Sequence, residues 1–280
     1  MRYFSLIIAC FSILAMQAQK ELVIINTNDT HSTVMPLSSN LDDTLKAGRA
    51  GYLRRLALLE EQRKAHPDLM LFDCGDFSQG SPYYTMFKGE VEVKLMNMMK
   101  YDAVALGNHE FDNGMDNLAR LIDMSEFAWL SANYDFSATV LKDKVKPYVV
   151  LERDDVKIGV FGLTPKLEGL ASIENIEGAV YKDPIESAKA VVSELRSESV
   201  GCDVVVCLSH LGWNMYKQMD DSTLIANTSG IDLVLGGHTH TYFQELQYVK
   251  NAEGKDVPVD QNGKHGIFIG KQRLFIQSKE

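Results

Sequence analysis

Five short segments of the sequence contain side chains of the types that bind metal ions in proteins. Each segment directly follows a short apolar run typical of a buried strand. Five of the seven histidines of the chain lie in these segments. The segments are Asn28-Asp29-Thr30-His31, Asp73-Cys74-Gly75-Asp76, Gly107-Asn108-His109-Glu110, Ser209-His210 and Gly236-Gly237-His238-Thr239-His240. Because ligand sites of open α/β folds form outside the carboxyl ends of the strands, the pattern predicts one polar site with several histidines.

The residue types in these segments indicate which metal chemistry to expect. Histidine, carboxylate and amide ligands together suit borderline or hard divalent ions such as Zn²⁺, Mn²⁺ or Fe²⁺. The candidate histidines exceed what one ion needs, so we expect two ions, with the two carboxylate oxygens of Asp76 as the bridge. Two ions about 4 Å apart can hold a phosphoryl group and activate water for attack on it. The two remaining histidines, His66 and His265, are expected on the surface.

The elements that must position these segments alternate between strands and helices. Helical spacing of apolar residues predicts helices over 52–64, 91–99 and 113–122, and a fourth helix begins at Asp183-Pro184. The predicted strands are 22–25, 69–72, 103–106, 129–132, 148–151, 157–163, 203–208 and 231–235, with a hairpin turn at Asp154-Asp155 and further β structure after Tyr242. This order is typical of an α/β sandwich with mixed sheets and outer helices.

The first eighteen residues have the features of a secretory signal peptide. An early Arg2 precedes an apolar run from Tyr3 to Met16, and Ala18 is a suitable residue before the cleavage point. Lipidation at Cys10 is the rival interpretation, although the apolar run continues well past that residue. We therefore expect cleavage of 1–18, export to the periplasm or the medium, and a catalytic domain over 19–280.

The composition excludes several classes of protein. The chain carries 28 Lys and Arg against 38 Asp and Glu, a net charge of −10, which does not suit binding of nucleic acid through its phosphates. After the leader no apolar run is long enough to span a membrane. The three later cysteines, Cys74, Cys202 and Cys207, form no C-x-x-C pair and are expected as buried free thiols.

In this order, the motifs resemble those of the calcineurin-like metallophosphoesterases. Three longer strings are similar to the 5′-nucleotidase family within that group, and the resemblance covers about residues 20–270. The strings are Asn28-Asp29-Thr30-His31-Ser32, Gly75-Asp76-x-x-Gln79-Gly80 and Gly107-Asn108-His109-Glu110-Phe111-Asp112. The resemblance implies a four-layer α/β/β/α sandwich and an exported phosphatase that converts nucleoside 5′-monophosphates to nucleoside and phosphate.

The resemblance also implies a role for each matching residue. One metal ion would be held by Asp29, His31, Asp76 and His240, and the other by Asp76, Asn108, His210 and His238. His109 and Asp112 would form the catalytic dyad, with His109 stabilising the transition state or protonating the leaving group. Some relatives have an amide at the position of His240, so the histidine here is expected to alter the metal preference.

Members of the family also have a C-terminal domain that binds the base and the phosphate, and this sequence ends soon after the metal motifs. A separately encoded partner chain is therefore one expectation. Alternative substrates are 2′,3′-cyclic phosphodiesters, nucleoside diphosphate sugars such as UDP-sugars, and a sulfur ester. A hypothesis of another class is a metal-binding subunit without activity of its own, but the presence of both His109 and Asp112 favours an enzyme.

Overall fold

The computed structural model describes residues 19–277, which form two large β-sheets and a two-stranded ribbon. The predicted signal peptide and its Cys10 lie outside the described residues. The strands are β1 (Gln19–Thr27), β2 (Met70–Asp73), β3 (Ala103–Ala105), β4 (Ala128–Leu130), β5 (Tyr134–Asp135), β6 (Tyr148–Arg153), β7 (Val156–Leu163), β8 (Val180–Tyr181), β9 (Val204–Ser209), β10 (Leu233–Leu235), β11 (Gln247–Lys250), β12 (Asp256–Asp260) and β13 (Gly270–Gln277). The α-helices are α1 (Tyr52–Ala65), α2 (Pro82–Phe87), α3 (Glu90–Met99), α4 (Gly114–Met124), α5 (Pro184–Leu195) and α6 (Asp221–Ala226).

The first sheet has the strand order β13-β1-β2-β3-β4. Strands β1 to β4 run parallel, with Ile24 opposite Met70 and Val104 opposite Trp129, while β13 is antiparallel to β1. Parallel neighbours end at the same edge of a sheet. The segments that follow β1, β2 and β3 therefore emerge side by side, and these are three of the five polar segments.

The second sheet has the order β11-β12-β10-β9-β7-β6. Its four central strands are parallel, and antiparallel strands β6 and β11 close its edges. The predicted turn between β6 and β7 is confirmed, and both Asp154 and Asp155 have positive φ, as a tight hairpin requires. The chain after Tyr242 contributes to both sheets, with β11 and β12 in the second and β13 in the first.

The two sheets pack face to face, and helices cover both outer faces. Apolar side chains of both sheets form the central layer of the core. Examples are Ile24, Phe72 and Ala105 from the first sheet and Val160, Val206 and Leu235 from the second. Helices α1, α3 and α4 bury Leu59, Met96 and Leu121 against the first sheet. Helices α5 and α6 bury Leu195 and Ile225 against the second. The predicted four-layer α/β/β/α sandwich is confirmed.

The long helices agree with their predicted ranges, but two short helices were not predicted. Helix α5 begins where expected, and the Asp183 carboxylate accepts a hydrogen bond from the Glu186 amide. Helices α2 and α6 are six residues each, too short for an apolar period to show. Their side-chain caps, Ser81 and Asp220, were the available signals.

Two further predictions concern the cysteines and the membrane-spanning segments. Cys74, Cys202 and Cys207 are buried and free, as predicted. Within residues 19–277 no helix has the length and apolar character needed to cross a membrane.

Candidate metal centre

The five polar segments meet where the C-terminal edges of the two sheets come together. Three groups of side chains each offer ligand atoms within 4.8 Å of one another. The groups are Asp29 with His31 and His240, Asp76 with His210 and His238, and His31 with Asp76 and His109. The third group brings Asp76 and His31 together and so connects the other two groups. The arrangement can hold metal ions at adjacent positions.

The backbone at this site adopts a conformation that non-glycine residues usually avoid. Five of the residues that offer ligand atoms have positive φ, between 40° and 72°. They are Asp29, His31, Asp76, His238 and His240. Main-chain bonds from Asp29 N to Gly75 O (2.9 Å) and from His31 N to Asp76 O (3.0 Å) hold the first two segments together. Such a concentration of unfavourable backbone is typical of functional sites, where the surrounding structure maintains it.

Glycines allow the main chain to pass close to the ligand side chains. A Cβ atom at Gly107 would lie 2.3 Å from Asp76 Oδ1. At Gly237 it would lie 2.9 Å from His210 Nδ1 and 3.1 Å from Asp29 Oδ2. A Cβ atom at either position would force its neighbours to shift, so glycine is favoured at these two strand ends.

The ring of His210 is oriented by a main-chain carbonyl group. Its Nδ1 donates a hydrogen bond to Cys74 O at 2.6 Å, which leaves Nε2 directed at Asp76 Oδ2, 3.0 Å away. Burial opposes a charge on His210, but the carboxylates of Asp76 and Asp29 outweigh it and raise the pKa of His210 to about 10. A positive charge is therefore strongly favoured between Nε2 and Asp76, and either a proton or a metal ion can supply it.

Two other histidines are held in the neutral form. Burial lowers the pKa of His31 and of His238 to about 4 in each case, despite the nearby carboxylates. Neutral imidazole is the form that binds metal ions. His31 Nε2 lies 3.0 Å from His240 Nε2, and His240 Nε2 lies 3.4 Å from Asp29 Oδ1. The ligand atoms of Asp29, His31 and His240 therefore lie close enough together to bind one ion.

Asn108 adds a buried side-chain oxygen to this part of the structure. Its Oδ1 atom is buried and has no hydrogen-bond partner among the described residues. A buried amide oxygen without a partner is costly unless it contacts water or a cation. Asn108 directly precedes His109, whose main-chain amide donates to Asp76 Oδ1. The orphaned oxygen, together with the carboxylate and imidazole groups of the cluster, fits a hard or borderline divalent ion.

Glu110 stands in one of the motifs, but nothing in the sequence predicts a role for it. Its buried carboxylate accepts main-chain hydrogen bonds from Asp76 N (3.0 Å), Gly107 N (2.8 Å) and Ser78 N (3.3 Å). Burial, and then the charge of Asp76, raises the pKa of Glu110 to about 7. This one side chain ties the segment after β2 to the segment after β3.

His109 and Asp112 lie at the rim of the site and contact each other. His109 Nδ1 is 2.9 Å from Asp112 Oδ2, and the His109 main-chain amide donates to Asp76 Oδ1 at 2.9 Å. The hydrogen bond to Asp112 is the main cause of a raised pKa at His109. Asp112 also lines a cleft of about 780 Å³ that extends along α2. A protonatable imidazole therefore lies beside the ligand cluster, and its partner Asp112 lines the cleft.

His265 does not lie on the surface as predicted. It is half-buried, its Nδ1 atom is 2.9 Å from Thr33 Oγ1, and its ring centroid is 6.2 Å from that of His31. The His265 amide donates to Asp29 O at 2.7 Å. The prediction failed because His265 follows no apolar strand, and the long-range fold alone places it here.

A ligand cluster at the sheet edges of a four-layer sandwich fits a metal-dependent enzyme, and the comparisons identify the family. The family model described as calcineurin-like phosphoesterase matches residues 22–242. Human 5′-nucleotidase is 33% identical over 255 residues, which cover 89% of this chain and 42% of the human protein. A 5′-nucleotidase precursor from Thermus thermophilus has a TM-score of 0.81 at 32% identity, covering 91% of this chain and 51% of that chain. The calcineurin-like phosphoesterase YfkN from Bacillus subtilis has a TM-score of 0.76 at 27% identity, covering 94% of this chain and 87% of that chain.

This chain belongs to the calcineurin-like phosphoesterase family, and by class it is a metal-dependent phosphoester hydrolase. The family predicted from the motifs is confirmed. The chain spans less than half the length of the mammalian 5′-nucleotidases it matches.

Proposed function

We propose that this chain is an exported two-metal phosphatase that hydrolyses nucleoside 5′-monophosphates to nucleoside and phosphate. The observation that supports it most strongly is the ligand cluster with the His109–Asp112 pair at its rim, 2.9 Å apart. The similarity to human and bacterial 5′-nucleotidases supports the nucleotide as substrate. Export rests on the leader-like sequence of 1–18.

The proposed ligands form two sets that share Asp76. The first set is Asp29, His31, Asp76 and His240, and the second is Asp76, Asn108, His210 and His238. When bound, two divalent cations would offset the charge of the phosphoryl group and make a water molecule acidic enough to attack phosphorus. Zn²⁺, Mn²⁺ and Fe²⁺ suit this mixture of ligands.

The remaining chemistry belongs to the side chains of the protein. Asp112 accepts the Nδ1 proton of His109, which fixes the ring orientation and favours the imidazolium form. The other ring nitrogen then carries a proton for the alkoxide that leaves when the P–O bond breaks. The cleft of about 780 Å³ beside Asp112 offers room for the departing nucleoside.

Phosphate release by the purified chain tests the proposal. We expect metal-dependent hydrolysis of AMP that exceeds hydrolysis of 2′,3′-cyclic AMP and UDP-glucose, and loss of all turnover in Asp76→Ala. Asp68→Ala is the matched control, because Asp68 is exposed in the turn before β2, at the opposite end of that strand from the site. Each protein is assayed after chelation and after loading with Mn²⁺ or Zn²⁺, with bound metal measured by mass spectrometry.

The other outcomes separate the alternatives. Preferential hydrolysis of the cyclic nucleotide or of the UDP-sugar would replace the proposed substrate and keep the metal centre. Turnover of an aryl phosphate alone would contradict nucleotide recognition by this chain. Two bound ions with no turnover on any substrate would favour a subunit that needs a partner chain.

A further inference from the structure

The segment that carries His238 and His240 has no regular structure to hold it. It follows β10, a strand of three residues, and runs from Gly237 to Thr241 as an open loop. Both histidines have positive φ, 72° and 55°, which is unfavourable for residues other than glycine. Such a loop keeps its shape only if other groups fix its main chain.

The side chain of Gln261 supplies three hydrogen bonds to this loop. Its Oε1 atom accepts from Thr241 N at 2.6 Å and from Thr239 Oγ1 at 2.9 Å. Its Nε2 atom donates to Gly237 O at 2.8 Å. The three contacts fall before, between and after the two histidines, and Gln261 is fully buried.

The chemistry of the contacts selects an amide side chain of this length. A glutamine has an acceptor and a donor at its tip, and both are needed here. A carboxylate would place an acceptor against Gly237 O, and an apolar side chain would leave the Thr241 amide without its partner. Thr239 Oγ1 also accepts from Trp213 N at 3.1 Å, which ties the loop to the chain after His210.

We propose that Gln261 is a positioning residue that fixes His238 and His240 for metal binding. The inference rests on the proposed roles of these two histidines as ligands. Gln261 follows β12 directly and lies outside residues 22–242, the part that the family model matches. The strands after Tyr242 thus contribute to the site through an orienting contact, since groups behind the ligands determine how well the ligands are placed.

The metal affinity of Gln261→Met measures how much Gln261 contributes to metal binding. Methionine keeps the size of the side chain and removes all three hydrogen bonds. We expect the dissociation constants for Mn²⁺ and Zn²⁺, measured by isothermal titration calorimetry on the full chain, to rise by about 10- to 100-fold. Gln247→Met is the matched control, since Gln247 is exposed on edge strand β11 and its side chain donates a hydrogen bond to Glu245 O, within its own segment. We expect the control to bind metal as the unmodified chain does.

A purely structural role would lower thermal stability without changing metal affinity, so the unfolding midpoint of each metal-free protein is measured as well. If Gln261→Met does not fold, Thr239→Val provides the second variant, because it keeps the bonds of Gln261 to Thr241 N and Gly237 O and nearly preserves side-chain volume. It removes the contacts of Thr239 Oγ1 with Gln261, with Trp213 N and with Thr241 Oγ1. It is expected to raise the dissociation constants less than tenfold. Unchanged affinity in the folded variants would overturn the inference. Absence of metal binding by the unmodified chain would instead overturn the proposed function.

Discussion

Replacing His109 with alanine separates proton donation from metal binding. The main-chain amide of His109, which donates to Asp76 Oδ1 at 2.9 Å, is retained in His109→Ala. We therefore expect the ligand cluster to keep its geometry when the imidazole, its contact with Asp112 and its edge contact with the His31 ring are lost. A positioned general acid contributes about 10²- to 10⁴-fold to a rate, or about 3 to 5 kcal/mol. We expect kcat on AMP to fall by that factor while the bound metal is unchanged.

Two substrates whose leaving groups differ in basicity test whether His109 acts as a proton donor. The alkoxide released from AMP is a strong base and needs a proton, whereas a nitrophenolate leaves readily without one. His109→Ala should therefore lose much less activity on nitrophenyl phosphate than on AMP. Steady-state kinetics on both substrates, with metal content measured on the same samples, give the ratio of the two losses.

The pH dependence tests the partner of His109. Because Asp112 raises the pKa of His109, the imidazolium form persists to higher pH than for a free histidine. Activity on AMP should fall as the pH rises through this pKa. Asp112→Asn removes the charge, so the pKa of His109 falls and the loss of activity moves to lower pH.

Two results would refute this account of His109. Equal losses on AMP and on nitrophenyl phosphate would show that the imidazole acts on the phosphoryl group and not on the leaving group. Loss of bound metal in His109→Ala would show that the imidazole itself maintains the ligand cluster, a role that its position within 4.8 Å of Asp76 and His31 also allows.

Three further changes test the structure around the site. Chelation of bound ions should lower the midpoint of thermal unfolding, because buried Asp29 and Asp76 lose their counter-charge. An unchanged midpoint would argue against resident ions. Gly107→Ala should abolish metal binding measured by calorimetry, since the new Cβ atom would lie 2.3 Å from Asp76 Oδ1. Normal binding would show that the loop can shift. Asp183→Ala removes the cap of α5 and should cost about 1 kcal/mol in chemical denaturation with phosphatase activity retained; lost activity would connect α5 to the site.

Most of the fold was predictable because its signals are local. A few neighbouring residues are enough to predict an element of secondary structure. Examples are the apolar run from Leu22 to Ile25 and the Asp183-Pro184 start of α5. The polar segments were recognisable for the same reason, since each lies directly after a strand. The four-layer arrangement came from the resemblance of the motifs to a family, and the core on both faces of each sheet agrees with it.

The groups that sequence reasoning missed act across long separations in the chain. Gln261 contacts a loop about twenty residues away through a side chain in no motif, and His265 reaches Thr33 across 232 positions. Glu110 stands inside a quoted motif, but its three main-chain partners become visible only when two loops are placed together. No periodicity or spacing encodes these contacts, because they depend on how separate strands end side by side.

The proposed metal ligands are divided between the two sheets, so the site depends on how the sheets pack. Asp29, His31, Asp76 and Asn108 follow strands of the first sheet, while His210, His238 and His240 follow strands of the second. Each of the two proposed ligand sets draws on both sheets, so neither sheet can complete a set alone. At Gly162 in β7, a Cβ atom would lie 2.4 Å from Leu130 O in β4, which shows how closely the two sheets approach. Metal ions bound across the two edges would therefore add to the cohesion of the sheets, and a change that separates the sheets would weaken both ligand sets at once.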